Sequence, residues 1–201
     1  MVSITFKIIE HVPQDLHRIL NQSFDKAYGG NFPLEGYKTC ILQHNNSDII
    51  AFCSLEIKFH ETVLWNVCAS FGPKLYSGGC TRLVAHVIKY CKSKNHKKIT
   101  LFVRTTGRNR VGNSGRNKKA IRCYQKNGFV LMENEPTTYK NGEEEGTTMT
   151  FDLQQSSLEP ESIPIYRKFP IDICIKLEDL KDDKSKYDFY EVVGEKHGYY
   201  L

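Results

Sequence analysis

Two adjacent glycines, Gly78 and Gly79, lie between an apolar run that closes at Phe71 and a helical one that opens at Leu83. The first N–H groups of a helix have no partner within it, and glycine lets a bulky anion come close to them. Tyr76-Ser77-Gly78-Gly79-Cys80-Thr81 therefore has the make-up of an anion site, although a Gly-Gly pair also serves as an ordinary turn. The surrounding charge agrees. Thr62 to Met132 holds no Asp or Glu against 15 Lys and Arg, whereas Glu133 to Leu201 holds 16 acidic residues against 8 basic ones. A basic middle of this kind must hold an anion, face its own acidic end or bind an acidic partner.

Proton-transfer groups are the second chemistry on offer. Glu56 and Glu61, with His60 between them, are the carboxylates nearest in sequence to the apolar stretch Val63 to Phe71. Each is a candidate base and, equally, an ordinary surface residue. The seven cysteines (40, 53, 68, 80, 91, 123 and 174) form no CxxC pair and are odd in number. Zinc sites and disulfide frameworks need paired ligands at short spacing, so no metal is expected and these thiols read as small buried hydrophobes in a reducing compartment. No run of 18 apolar residues exists, and the N-terminus lacks the pattern of a signal peptide. A cytoplasmic or nuclear protein with no membrane partner is the expectation.

These groups need elements to position them. Ser3 to Glu10 alternates apolar and polar residues, as a strand does, and Leu16, Ile19, Leu20 and Phe24 follow at helical spacing after Pro13. Cys40 to Gln43, Ile49 to Phe59 and Val63 to Phe71 read as three strands, the first two joined by a polar turn. Leu83, Val84, Val87, Ile88 and Cys91 share a helix face, and Ile99 to Val103 is a short buried strand. A Gly- and Arg-rich loop over 104–116 leads to a helix from Asn117 to Asn127, stopped by Gly128. Phe129 to Glu133 and Thr147 to Leu153 complete the sheet around a turn at Asn141-Gly142. The order β-α-β-β-β-α-β-α-β-β predicts an α/β (α+β) fold, a mixed central sheet flanked by helices. Beyond Leu153 the prolines 160, 164 and 170, with charges between them, read as a linker, and Ile171 to Leu177 as one further strand.

Asn117-Lys-Lys-Ala120-Ile-Arg-Cys123-Tyr124-Gln-Lys-Asn-Gly128-Phe129 resembles the N-x-x-A-x-x-φ-Y-x-x-x-G-F segment of the GNAT acyltransferases, φ being apolar. Tyr139 to Glu143, then Met149 to Leu153, is similar to the closing hairpin of that family. The resemblance covers residues 1–153, taken as a GNAT-like domain, and leaves 154–201 as an acidic C-terminal extension able to fold back on the cationic middle.

The resemblance implies an N-acetyltransferase that moves an acetyl group from acetyl-CoA to a primary amine by direct attack in a ternary complex. It implies Gly78, Gly79, Cys80 and Thr81 for the pyrophosphate, backbone amides of Ala69 and Phe71 for the pantetheine arm, and Asn117 beside that arm. It also implies Tyr124 as the acid that protonates the departing thiolate, while Asn117 is equally suited to cap its helix. The pyrophosphate loop departs from the family pattern, lacking its Arg or Gln and its last Gly or Ala. The family's strand glutamate is missing from Val63 to Phe71, which leaves Glu56 and Glu61 as candidate bases. Cys80 as an acyl-carrying nucleophile is disfavoured, for no His partner motif accompanies it. The acceptor class stays open among a small amine, a lysine and a protein N-terminus. The alternative is a non-catalytic module of the same shape whose basic middle binds nucleic acid or an acidic protein; the 104–122 stretch lacks interleaved aromatics for stacking bases.

Overall fold

The computed structural model describes residues 4–28, 30–45, 48–69, 75–104, 118–139, 144–155, 158–169, 189–192 and 198–199. Its elements run β1 (Ile4–Ile9), α1 (Gln14–Tyr28), β2 (Lys38–His44), β3 (Asp48–Ile57), β4 (Glu61–Ala69), β5 (Leu75–Ser77), α2 (Gly79–Ser93) and β6 (Lys98–Arg104). They continue with α3 (Lys118–Lys126), β7 (Val130–Tyr139), β8 (Glu144–Asp152), β9 (Tyr166–Phe169), β10 (Phe189–Val192) and β11 (Gly198–Tyr199). Seven strands form one sheet in the order β1-β2-β3-β4-β6-β8-β7. All its pairs are antiparallel except β4 with β6. That parallel pair needs a crossover, which α2 supplies.

Helices cover both faces. Leu20 and Phe24 of α1, one turn apart, are buried with Phe32 against Ile41, Phe52 and Cys68 of the sheet. On the other face Leu83, Val84, Val87, Ile88 and Cys91 of α2 pack on Cys40, Cys53, Leu55, Leu64, Ile99 and Leu101. β3, covered on both sides, is buried without a break from Ile49 to Leu55, as a central strand should be. β7 runs through Pro136 with a register shift after Met132, tolerated because β7 is an edge strand and the proline falls at the irregularity.

The stretch expected to be a linker is instead seated on α2. Pro160 opens a 3-10 turn, and Pro160, Ile163 and Ile165 are buried. The Arg82 guanidinium donates to the Ile163 carbonyl at 3.3 Å. β9 then pairs with β5 (Leu75↔Lys168 to Ser77↔Tyr166), and β10 and β11 complete a second, four-stranded sheet. Proline's fixed φ suits the first position of a helical turn as well as it suits a linker, and two isoleucines supply the anchor. The strand expected at Ile171 to Leu177 lies outside the described residues.

Candidate functional site

The central feature is a gap in the sheet. β4 and β6 pair from Glu61↔Lys98 to Leu64↔Leu101, and the ladder stops there although both strands continue. The cause lies in β4. Against β3, Ser54 faces Trp65 while Phe52 faces Cys68, so β4 carries one extra residue. Asn66 absorbs it with φ 55, a left-handed conformation that asparagine accepts more readily than most residues. The bulge turns β4 away from β6 and opens a wedge that ends at Ala69, itself opposite Ala51.

The start of α2 lies against β3 beside the end of β4: a Cβ on Gly79 would come within 3.7 Å of Ala51, the residue paired with Ala69. Gly78 is the residue before the helix, at φ 81, and no side chain caps the helix there. A Cβ on Gly78 would collide with the carbonyl oxygen of Pro164, and one on Gly79 with Cγ2 of Ile50. Both glycines are thus required by close packing, a reason for them that the anion-site reading did not contain. The first turn of α2 has no acidic residue. The Thr81 hydroxyl donates to Cys123 Sγ at 3.5 Å, toward α3, so its backbone N–H is what it can offer a ligand. Burial, with Cys123 and Cys68 adding to it, pushes the Cys80 thiol far above its ordinary range. A thiol so placed is a poor nucleophile.

Tyr124 lies on α3, buried in the same cluster as Leu64, Leu101 and Val103, the residues bordering the wedge. Its ring is 6.0 Å from that of Phe129, which in turn packs 5.5 Å from Phe151. Asn127, absent from the sequence-based set, locks this helix to α2: its amide donates to the Thr81 carbonyl at 3.2 Å and to that of Cys123 at 2.9 Å. Phe71 and Asn117 lie outside the described residues.

The two carboxylates separate. Glu61 opens β4 opposite Lys98; it accepts the Thr100 hydroxyl and lies 4.0 Å from Lys98 Nζ. Along the strand it stands roughly 16 Å from Asn66 at ~3.3 Å per residue. Glu56 is closer to the wedge. Its Oε2 accepts the Trp65 indole N–H at 3.1 Å, and its Oε1 lies 3.4 Å from Lys58 Nζ. Trp65 packs against Phe102 with ring centroids 5.1 Å apart. The sequence signal for this group was a lone tryptophan in an apolar strand, followed by an asparagine. Among the described residues no cluster of His, Cys, Asp or Glu could hold a metal, and no helix is long and apolar enough to cross a membrane.

No family model and no curated protein matches the sequence. Solved structures match the shape. The ribosomal-protein-S18-alanine N-acetyltransferase from Escherichia coli aligns with 81% of this chain and 99% of its own, with TM-score 0.53 and 19% identity. An N-acetyltransferase from Staphylococcus aureus Mu50 aligns over 76% and 99%, with TM-score 0.54 and 14% identity. The yncA structure from Salmonella typhimurium, which holds its cofactor acetyl-CoA, aligns over 79% and 98%, with TM-score 0.53 and 14% identity. At such identities the likeness is one of fold, and the fold is that of the GNAT acetyltransferases.

Proposed function

We propose that the protein is an acetyl-CoA-dependent N-acetyltransferase acting on a primary amine. One observation carries the reading: Leu64 and Leu101, where the β4–β6 pairing ends, share one core cluster with Tyr124, and Cys80 in the uncapped first turn of α2 packs against it. The residues fit the co-substrate. N–H groups of Gly79, Cys80 and Thr81, with no carboxylate in that turn, suit a pyrophosphate, and β4 ending at Ala69 suits the extended pantetheine arm, with Phe71 and Asn117 assigned beside it. Acetyl-CoA supplies a thioester whose carbonyl carbon is open to attack.

The amine nitrogen bonds to that carbon while the carbon–sulfur bond breaks. Tyr124 gives its phenolic proton to the leaving thiolate, a reasonable transfer given thiol and phenol pKa values of about 8.5 and 10. Glu56 is the better placed of the two candidate bases to take the proton from nitrogen, for it sits beside Trp65 at the apex of the wedge; Glu61 faces the far end of β4.

Thermal denaturation with and without acetyl-CoA tests this. At 100 times its dissociation constant the ligand adds ~2.7 kcal/mol, a rise of roughly 5–11 °C for a chain of this size. A melt unmoved by acetyl-CoA but raised by RNA or heparin would overturn the reading in favour of a binding module built on the same fold.

A further inference from the structure

We propose that Trp65, Phe102 and Glu56 form a site for the alkylammonium group of an amine that carries no neighbouring carboxylate; as a statement about the acceptor, this rests on the function proposed above. Trp65 and Phe102 are the first residues beyond the last β4–β6 pair, Leu64↔Leu101. Leu64 and Leu101 belong to the core beneath α2, and side chains alternate along a strand, so the two rings lie on the opposite face of the sheet. They meet there across the apex of the wedge, tilted by 35° and half-buried. An aromatic pair in a finished core would be covered.

A carboxylate is fixed to this platform. Glu56, directly opposite Val63, projects on the same face as Trp65, and the indole N–H holds one of its oxygens. A ring face next to a held carboxylate is the arrangement that recognises an organic cation, by cation–π and charge attraction for any ammonium and, where the cation carries N–H, by a charge-assisted hydrogen bond as well. Lys58 already neighbours Glu56, yet its side chain is 54% exposed and that of Glu56 34%. Pairs of this kind hold weakly, so a ligand ammonium can take the place of Lys58. Glu61 shares this face but stands at the far end of β4, engaged by Thr100 and Lys98, and takes no part in the site. The Glu56 carboxylate beside the rings repels an acceptor whose amine stands next to its own carboxylate, which selects side-chain-like or polyamine-like amines over free amino acids.

The chain has a single tryptophan, so Trp65 reports on its own site. Tetramethylammonium chloride, which cannot be acylated, is titrated into the full-length protein against a sodium chloride control while indole fluorescence is followed. A saturable change is expected, with the dissociation constant raised about tenfold or more in Glu56→Gln and in Phe102→Leu. Glutamine keeps an oxygen for the indole N–H, so that variant removes charge and leaves the ring in place. No saturable change in the wild type, or equal affinity in both variants, overturns the proposal. The melt with acetyl-CoA, run on the same samples, separates the two readings. Stabilisation by acetyl-CoA without ammonium binding sinks the cation site alone; ammonium binding without stabilisation upholds the cation site and sinks the acetyltransferase.

Discussion

The two faces of the seven-stranded sheet carry different chemistry. Beneath α2 and α3 the strands offer leucine, isoleucine, phenylalanine and cysteine, all buried, and burial pushes the Cys91 thiol up to about 12. Toward α1, the packed cluster among the described residues gathers on the half nearest β2 and β3, around Ile41, Phe52 and Cys68. Beyond it the same face presents Glu56, Trp65, Thr100 and Phe102, partners in hydrogen bonds and ring contacts. The contrast teaches that the bulge at Asn66 does more than bend a strand. It ends the β4–β6 pairing between the face on which we propose the polyanion binds and the face on which we propose the cation binds.

The comparison can be broken most severely at the segment that braces α2. Deleting 158–201 removes the buried Ile163 and Ile165, each worth roughly 1.5–3 kcal/mol. That loss should leave a chain without a cooperative melt, read by circular dichroism. Deleting 170–201 spares both isoleucines and should retain a cooperative transition. We propose that the folding unit extends from 1–153 through β9, and equal melts for the two truncations would refute this.

The glycines come next in size. Gly78→Ala forces a left-handed alanine against a backbone carbonyl and should cost about 2–4 kcal/mol in chemical denaturation. Gly79→Ala meets only the Ile50 side chain and should cost about 1–3 kcal/mol. Ile50→Ala should therefore couple favourably with Gly79→Ala, the pair costing at least ~1 kcal/mol less than the sum. No such coupling should appear between Ile50→Ala and Gly78→Ala. Additive costs at Gly79 would mean that Ile50 does not set its size.

Tyr124→Phe is expected to lower turnover about 10²-fold while the shift in melting with acetyl-CoA persists, because only a hydroxyl is lost. Undiminished turnover would leave Tyr124 as a packing residue of the core. This variant acts on the α2 face alone, so tetramethylammonium binding on the other face should not change.

Local periodicity made the main elements legible. α3, observed at Lys118–Lys126, follows from Ala120, Cys123 and Tyr124 on one face and a glycine stop, and the crossover around Gly78 follows from an apolar strand leading to a helical run. What stayed hidden depends on pairs distant in sequence. Glu56 and Trp65 meet because a ladder with a bulge puts Ser54 opposite Trp65, and no window of sequence contains that register. Pro164 lies 86 residues after Gly78 and yet decides what Gly78 can be. Prolines 160, 164 and 170 with charges between them suggested a linker because what seats this stretch, the core around Ile165 and the Arg82 bond to the Ile163 carbonyl, comes from α2, far away in sequence.

The smallest effect expected is a pH dependence at the outer face of α2. The His86 ring stacks on Phe6 of β1 at 4.9 Å, nearly parallel, and its Nε2 is buried without a hydrogen-bond partner. Burial, with Arg82 and Lys89 of the same helix assisting, holds its pKa down at about 4 from 6.5; Glu161 opposes them. A histidine whose folded pKa is depressed binds its proton more readily in the unfolded chain. Its contribution is therefore whole above pH 6.5 and is lost as pH falls toward 4. A full shift of that size would correspond to about 3 kcal/mol, and because the ring is half-exposed we expect on the order of 1–2 kcal/mol. The carboxyls of Glu10 and Glu161 are held below their ordinary value by Lys38 and by local hydrogen bonding, so their losses fall mainly at lower pH. His86→Phe keeps the stack on Phe6 and removes the titration. Urea melts of this variant between pH 4 and pH 6.5 should slope less steeply than those of the wild type; matching slopes would show that the fold does not depress the pKa of His86.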